Sequence, residues 1–347
     1  VTNDKSVWGY WAHMWEKLEL ESIGISCRQN YKTALKHLTP LNERTASKLT
    51  SVDLSEIITK LAIDNGLSKS TLRFIISVAR RVCLLARKNH AMAIDITEDV
   101  KIPQCATIKP REAISPQLQE ALWNVSPVTR NNGRDKAREA VIPFIKTLAL
   151  LILCCGLRRE EAVALRWENV DLKNRLLTVM EAYDYKGKRL KGPKSKAGYR
   201  TVPIPSNMAD ILINWKAQNS QNLFGAKYVF PGRKGIMSED EFKYKWKALM
   251  DAINGVSISD KISAKKKKHG IIPNISSKHH FTSHQLRHTY ATNCVASGID
   301  IRTVQYLMGH AKADVTLGYT HFSQAALEEA RIILDGKNSE NKILDKA

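Results

Sequence analysis

The sequence predicts a mainly α-helical protein with a small antiparallel β-sheet, divided into an all-helical domain and a mixed α/β domain. Three observations predict it. Apolar residues recur at helical spacing through the first hundred positions. A stretch without periodicity follows at 102–115 and carries Pro103 and Pro110. β-rich sequence is confined to 176–204, with helical patterns on both sides. A chain of 347 residues is long enough for two domains, each with its own core.

The first domain reads as four helices. Trp8, Trp11, Trp15 and Leu18 line one face of the first, and their spacing favours core packing over base stacking. The second follows Ser26 and turns Tyr31, Leu35 and Leu38 to one side. The third starts near Ser51, carries Leu54, Ile57, Ile58 and Leu61, and stops at Asn65-Gly66. The fourth follows Ser68, with Leu72, Ile75, Ala79, Val82 and Ala86 facing inward. Its outer face carries Arg73, Arg80, Arg81, Arg87 and Lys88, a basic stripe suited to clamping phosphates.

In the second domain, Ser115-Pro116 reads as an N-cap with proline at the first helical position, opening a helix to about Val125. Asn131 to Arg138 reads as a polar loop. Pro143 to Cys155 is a buried helix stopped by Gly156, and Arg159 to Arg166 is a short helix. Leu176 to Met180 and Arg200 to Ile204 read as strands; between them, 186–200 is rich in Lys and Arg and holds no acid. Helices resume at Asn207 to Gln218, at Glu239 to Ile253, and from His284 onward. Lys261 to Lys268 contains five lysines and reads as an exposed loop. In the last stretch, Ala325, Ala326, Ala330, Ile333 and Leu334 form an apolar stripe that fits either a neighbouring molecule or the chain's own core.

The formal net charge of +20 points to a polyanionic partner. A membrane surface is the competing polyanion, but no basic amphipathic helix with a broad aromatic face is present. The longest apolar run, Thr147 to Leu157, is shorter than the roughly 18–20 residues of a membrane span. The six cysteines show neither C-x-x-C spacing nor a zinc pattern, and read as reduced thiols in a cytoplasmic protein.

Chemistry is concentrated in a few short motifs. Gly156-Leu157-Arg158 ends one helix and begins another. His284-Gln285-Leu286-Arg287 places a histidine and an arginine three apart, on one helical face. His310 follows Leu307-Met308-Gly309, and Tyr319 lies nine positions on. A phosphodiester is anionic and repels a hydroxyl nucleophile. Two guanidiniums, Arg158 and Arg287, neutralise its non-bridging oxygens and the charge that grows in the transition state. Arginine suits this role because its planar fork donates two parallel hydrogen bonds and stays charged. His284 and His310 donate to the same phosphate, and His284 also suits proton transfer from the tyrosine. Tyr319 is the candidate nucleophile. Its phenolic oxygen needs no metal-activated water, and it leaves readily enough for a DNA hydroxyl to reseal the break. No Walker loop and no carboxylate metal cluster is seen, so no cofactor and no metal are expected.

Together these motifs resemble the tyrosine recombinase (phage integrase) family. Gly156-Leu157-Arg158-Arg159-Glu160-Glu161 is similar to its first arginine motif, with Glu161 at the supporting acidic position. His284 to Arg287 is similar to its H-x-x-R box, Leu307 to His310 to its third box, and Tyr319 falls at the nucleophile. The resemblance implies a lysine on a β-hairpin as general acid for the leaving 5′ oxygen. Lys196 is the best match, and Lys194 competes for the role. It also implies a clamp around duplex DNA. Residues 5–105 resemble the helical core-binding (SAM-like) domain, 106–114 a linker, 115–335 the catalytic domain and 336–347 a tail. Lys194 and Arg200 join the stripe of the fourth helix as candidate DNA contacts. Fuller phage integrases carry a further arm-binding domain ahead of the core-binding one; Ser6 already begins the core-binding pattern here, so that domain is expected either to be absent or to have been cut away. The implied activity is metal- and ATP-independent site-specific recombination for a phage or mobile element. A homotetramer would act on two duplexes through 3′-phosphotyrosine links and a Holliday junction. DNA-bending accessory proteins and an excisionase are implied partners, with a nucleoid-associated place in the cytoplasm. A chromosome or plasmid dimer resolvase, a type IB topoisomerase and a catalytically inactive DNA-binding regulator are the alternatives.

Overall fold

The computed structural model describes residues 4–107, 112–126, 140–193, 196–219, 227–255, 279–310 and 330–336. The chain divides into two compact units, 1–110 and 111–347.

The first unit holds α1 (Trp8–Glu19), α2 (Ile25–His37), α3 (Ser51–Ile63) and α4 (Lys69–Lys88). Trp8, Trp11 and Trp15 pack into one core with Leu38, Leu54, Ile58 and the inner face of α4. Leu18, placed by spacing on the same face, is exposed, and Leu20 is buried instead. The chain turns at Leu20, whose carbonyl accepts from Ile23 N–H at 3.3 Å, and that turn closes the core. Local signals set the helix starts. The Thr50 amide donates to Asp53 Oδ2 at 2.8 Å, and the Ser68 hydroxyl accepts from Thr71 N–H at 3.4 Å. Arg73, Arg80, Arg81, Arg87 and Lys88 are all exposed on α4. Arg80 pairs with Asp95 at 3.5 Å, and Arg81 lies over the Tyr31 ring.

The second unit is built on α6 (Ile142–Cys155), which is apolar on nearly every side except at Lys146 and Thr147 and is therefore central. Around it lie α5 (Pro116–Asn124), α7 (Arg159–Ala164), α8 (Ser206–Asn219), α9 (Glu239–Ile253), α10 (Ser283–Ala296) and α11 (Ile301–Met308). A three-stranded antiparallel sheet runs in the order β1 (Val170–Asp171), β2 (Leu176–Val179), β5 (Arg200–Pro203). Its register pairs Leu176 with Pro203 and Val179 with Arg200. Between β2 and β5 the chain makes a hairpin, β3 (Ala182–Asp184) with β4 (Arg189–Lys191), and then a 3-10 turn at Lys196–Gly198. A second short hairpin pairs β6 (Pro231–Gly232) with β7 (Gly235–Ile236).

Two elements differ from the pattern reading. α7 stops at Ala164 because Leu165 and Trp167 pair with the chain at 227–229 instead: Val229 N–H donates to Leu165 O at 3.0 Å, and Trp167 N–H to Lys227 O at 3.1 Å. The helical stretch from His284 is two helices, broken at Gly298, where φ is +86°. Residues 330–336 are helical. Ala330 and Leu334 join this unit's core, and Asp335 accepts from Arg175 at 2.6 Å, so this part of the stripe packs on its own chain. Ala325, Ala326, the polar loop 131–138 and the lysine run 261–268 lie outside the described residues. Among the described residues, no helix is long and apolar enough to cross a membrane. Cys83, Cys154 and Cys155 are buried thiols, and Cys27 and Cys105 are exposed ones.

Candidate active site

The site begins where α6 ends. Gly156 takes φ of +63°, and a Cβ there would lie 2.3 Å from Cδ1 of Tyr290, so only glycine lets α10 press this close. The carbonyl freed at that turn accepts from the guanidinium of Arg287 on α10. The second nitrogen of the same fork donates to Met308 O at the end of α11. Arg287 is thus buried and fixed between two helix ends.

Arg158 caps α7. Its amide donates to Glu161 Oε2 at 2.9 Å, and its guanidinium donates to Glu161 Oε1 at 2.6 Å and to Gly309 O at 3.0 Å. Glu161, one turn into α7, is the hub. Its Oε2 also receives Arg200 at 2.8 Å and lies 3.8 Å from Arg287. One carboxylate therefore sits among three guanidiniums, and the site stays net positive. Burial works against the charged form of Glu161. The hydrogen bond and charge of Arg200, then those of Arg158, overcome it and hold the carboxyl down to about 2. Burial first, then Arg158, pushes Arg287 down to about 9 against the pull of Glu161, so it remains charged at neutral pH.

The two histidines flank this cluster. α11 ends in a Schellman turn: Gly309 N–H donates to Tyr306 O at 2.8 Å, and His310 N–H to Gln305 O at 3.1 Å. Gly309 carries φ of +58°, which delivers His310 beside the arginines. Burial, then Arg287, Arg158, Arg200 and His284, lower the His310 pKa, so its imidazole is neutral at neutral pH. His284, in the first turn of α10, is close enough to contribute to that shift. The lysine turn touches the same place: a Cβ on Gly309 would meet Ala197 O at 3.0 Å. The structure thus brings Arg158, Glu161, Arg287, His284, His310 and the exposed Lys196 turn into one region. Tyr319 and Lys194 lie outside the described residues.

Arg200 corrects the sequence reading. Placed there as a DNA contact, its side chain is 0% exposed. It donates to both Glu161 oxygens, to Leu307 O at 2.6 Å and to Gly198 O at 3.1 Å. The signal was available: strand alternation puts Arg200 on the same face as Val202 and Ile204, both buried. The basic stripe of α4 belongs to the first unit. Sequence reasoning also missed the carbonyls of Gly156, Leu307, Met308 and Gly309, since backbone acceptors leave no trace in residue type. Among the described residues, no cluster of His, Cys, Asp and Glu is arranged to hold a metal ion.

Known proteins place this arrangement. Residues 135–325, more than half of the chain, match the model of the phage integrase family. The tyrosine recombinase XerD of Pseudomonas aeruginosa is 26% identical over 321 residues, 89% of this chain and 91% of that protein. The transposase from transposon Tn916 of Enterococcus faecalis is 27% identical over 206 residues, 56% of this chain. The chain spans about half of that transposase, and of a XerC-like recombinase of Caldanaerobacter subterraneus subsp. tengcongensis that is 29% identical. Among solved structures, the Tn1549 transposon integrase in complex with a circular intermediate DNA superposes with a TM-score of 0.64. The match covers 94% of this chain and 99% of that one at 16% identity. A lambda integrase tetramer bound to a Holliday junction gives 0.60 at 15% identity, covering 92% of this chain and 82% of that one. The first arginine motif, the strand and turn that follow it, and the two histidine boxes all fall within the matched span, and the chain belongs to the phage integrase family of tyrosine recombinases.

Proposed function

We propose that this protein is a site-specific DNA recombinase of a phage or other mobile element, which cuts and rejoins duplex DNA through a 3′-phosphotyrosine at Tyr319. One observation carries the reading: three guanidiniums share a single carboxylate, beside two histidines and a lysine turn. Such a site has positive charge to spare, held rigid before any ligand arrives, and that is what a pentavalent phosphoryl transition state needs.

The roles follow from this reading, and the geometry supports them. Arg158, the more open of the arginines, meets one non-bridging oxygen, and Arg287 supports it from the buried side. His310 is neutral at neutral pH and donates one N–H to the phosphate; His284 takes the phenolic proton. The Tyr319 oxygen bonds to phosphorus as the bond to the 5′ oxygen breaks. The departing oxygen takes its proton from Lys196 or Lys194. Reversal by an incoming 5′ hydroxyl releases Tyr319 and needs no nucleotide. The first unit, with its α4 stripe, supplies phosphate contacts on the duplex.

The Tn1549 and Tn916 proteins favour a mobile-element role. The lambda structure supports a tetramer on a junction of two duplexes as the working form. Accessory bending proteins and an excisionase fit an integrase that must choose a direction, and a DNA-acting enzyme would reside with the nucleoid. A dimer resolvase is the second reading, favoured by the near full-length XerD match. Incubation with a nicked duplex that releases a short 5′ fragment tests the chemistry. The wild type traps a denaturation-resistant adduct, and Tyr319→Phe traps none while binding DNA normally. An adduct in the Phe variant would remove Tyr319 from the reaction. Sequencing the junctions made in cells separates the readings: element ends joined to chromosome support an integrase, and resolved replicon dimers support a resolvase.

A further inference from the structure

Arg200 donates four hydrogen bonds, and the mechanism above leaves it no contact with DNA. Its guanidinium reaches three other chain segments. It donates to Glu161 Oε2 at 2.8 Å and Oε1 at 3.3 Å on α7, to Gly198 O at 3.1 Å in the lysine turn, and to Leu307 O at 2.6 Å on α11. Its own backbone opens β5. Gly309 closes over it: a Cβ there would lie 3.0 Å from the guanidinium, 3.2 Å from the Arg200 stem and 3.0 Å from Ala197 O. The His310 turn and the lysine turn are therefore stacked on one another, with Arg200 bonded beneath both.

We propose that Arg200 is a positioning residue for strand transfer, holding the lysine turn at 196–198 and the His310 turn in register over the Arg158–Glu161 pair. The inference rests on the strand-transfer reading above. A 3-10 turn of three residues has little of its own to hold it still. Its Gly198 carbonyl is tied to Arg200, and the Lys196 carbonyl accepts from Tyr199 N–H at 3.1 Å. A planar fork spreads its donors over three nitrogens and so serves two carbonyls and a carboxylate that lie apart; the three donors of a lysine ammonium radiate from a single atom and do not span the same partners. A second tie runs in parallel: Thr201 N–H donates to the Tyr306 hydroxyl at 3.3 Å, linking β5 to α11 one residue further on.

Acting through the lysine turn gives Arg200 a distinctive signature. A group that only holds the fold slows every substrate alike. A group that places the proton donor slows a substrate in proportion to its need for that proton. Two nicked duplexes separate the cases, one with the natural bridging 5′ oxygen and one with sulfur there, which leaves as a stable thiolate. The full-length wild type, Arg200→Lys and Tyr306→Phe are compared for melting temperature, duplex affinity and single-turnover adduct formation. Arg200→Lys is expected to slow the oxygen substrate about 100-fold and the sulfur substrate less than about 10-fold, the size of a general-acid contribution. Tyr306→Phe should shift the oxygen-to-sulfur ratio the same way by a smaller factor, with melting and affinity preserved. Equal slowing on both substrates in Arg200→Lys overturns the proposal. Should Arg200→Lys not fold, Tyr306→Phe decides, and an oxygen-to-sulfur ratio equal to the wild type overturns it. A wild type that forms no adduct with either substrate overturns the strand-transfer reading itself, and this inference with it.

Discussion

Glu161→Gln tests how the arginine cluster is held. The substitution keeps the shape of the side chain and one acceptor oxygen but removes its charge, leaving Arg158, Arg200 and Arg287 without their common anion. The structure gives the magnitude. The carboxyl falls from 4.5 to about 2, and at about 1.4 kcal/mol per unit the native environment favours its charged form by about 3 kcal/mol. A buried ion pair broken on one side costs a similar amount, roughly 3–5 kcal/mol. The variant should therefore lose about 3 kcal/mol of stability in the second unit at neutral pH. The pH dependence sharpens the test. The folded pKa lies below the unfolded one, so the contribution is fully present above about 4.5 and is lost as pH falls toward about 2. Other carboxylates titrate in both proteins and cancel in the difference. Denaturant unfolding followed by tryptophan fluorescence is the assay, with the first unit, which lacks Glu161, as internal reference. A loss under about 1 kcal/mol, typical of exposed pairs, would refute the account of Glu161 as the hub. So would a gap between the two proteins that stays as wide near pH 2 as at neutral pH.

The remaining expectations concern DNA, protons and the general acid. Replacing Arg73, Arg87 and Lys88 together by Gln should flatten the dependence of duplex affinity on salt by about 0.9 log units for each phosphate that α4 no longer neutralises; an unchanged slope in a binding titration would take the α4 stripe off the DNA. His310 should titrate below 6.5 by NMR in the free protein, so that stability falls as pH drops from 6.5 through the lower folded value; a midpoint above 6.5 would contradict its place among the arginines. If Lys196 is the proton donor, Lys196→Ala should cleave a normal nicked duplex very slowly and recover on the 5′-sulfur substrate, while Lys194→Ala shows a smaller defect without recovery. The reverse pattern moves the role to Lys194, and equal defects on both substrates would leave both lysines as phosphate ligands.

Much of this fold was legible because its signals are local. Trp8, Trp11 and Trp15 announced a buried face, Ser68 and Ser115 marked helix starts, and the apolar run from Leu148 to Cys155 before Gly156 marked a central helix. The candidate site was legible as residue types, since Arg158, His284, Arg287 and His310 each sit in a short motif that also fixes their helix position. What stayed hidden was long-range. Arg158 bonds to Gly309, 151 residues away, and Arg200 to Leu307, 107 residues away. Neither spacing nor propensity encodes which carbonyl a guanidinium will find. Charge misled at Arg200 for the same reason: in a basic loop an arginine reads as a phosphate ligand, and only strand alternation hinted that this one faces inward.

The three arginines differ most in their access to solvent, and that difference orders their work. The Arg200 side chain is 0% exposed and Arg287 2%, while Arg158 is 38% exposed. Under the proposed function a phosphate arriving from solvent would meet Arg158 first, on a guanidinium already aimed by Glu161 and Gly309. The backbone carbonyls explain why the charges stay in place before DNA arrives. Arginines held only by carboxylates would be neutralised by them. Carbonyls orient a guanidinium through its N–H groups and leave its net charge uncancelled. By setting one carboxylate and five carbonyls against three arginines, those of Gly156, Gly198, Leu307, Met308 and Gly309, the second unit keeps a positive field that is both fixed and unquenched. The cost falls on folding, because the guanidiniums of Arg200 and Arg287 are desolvated before DNA binds. The cluster sits at the end of α6, the most apolar helix among the described residues, whose packing offsets that cost.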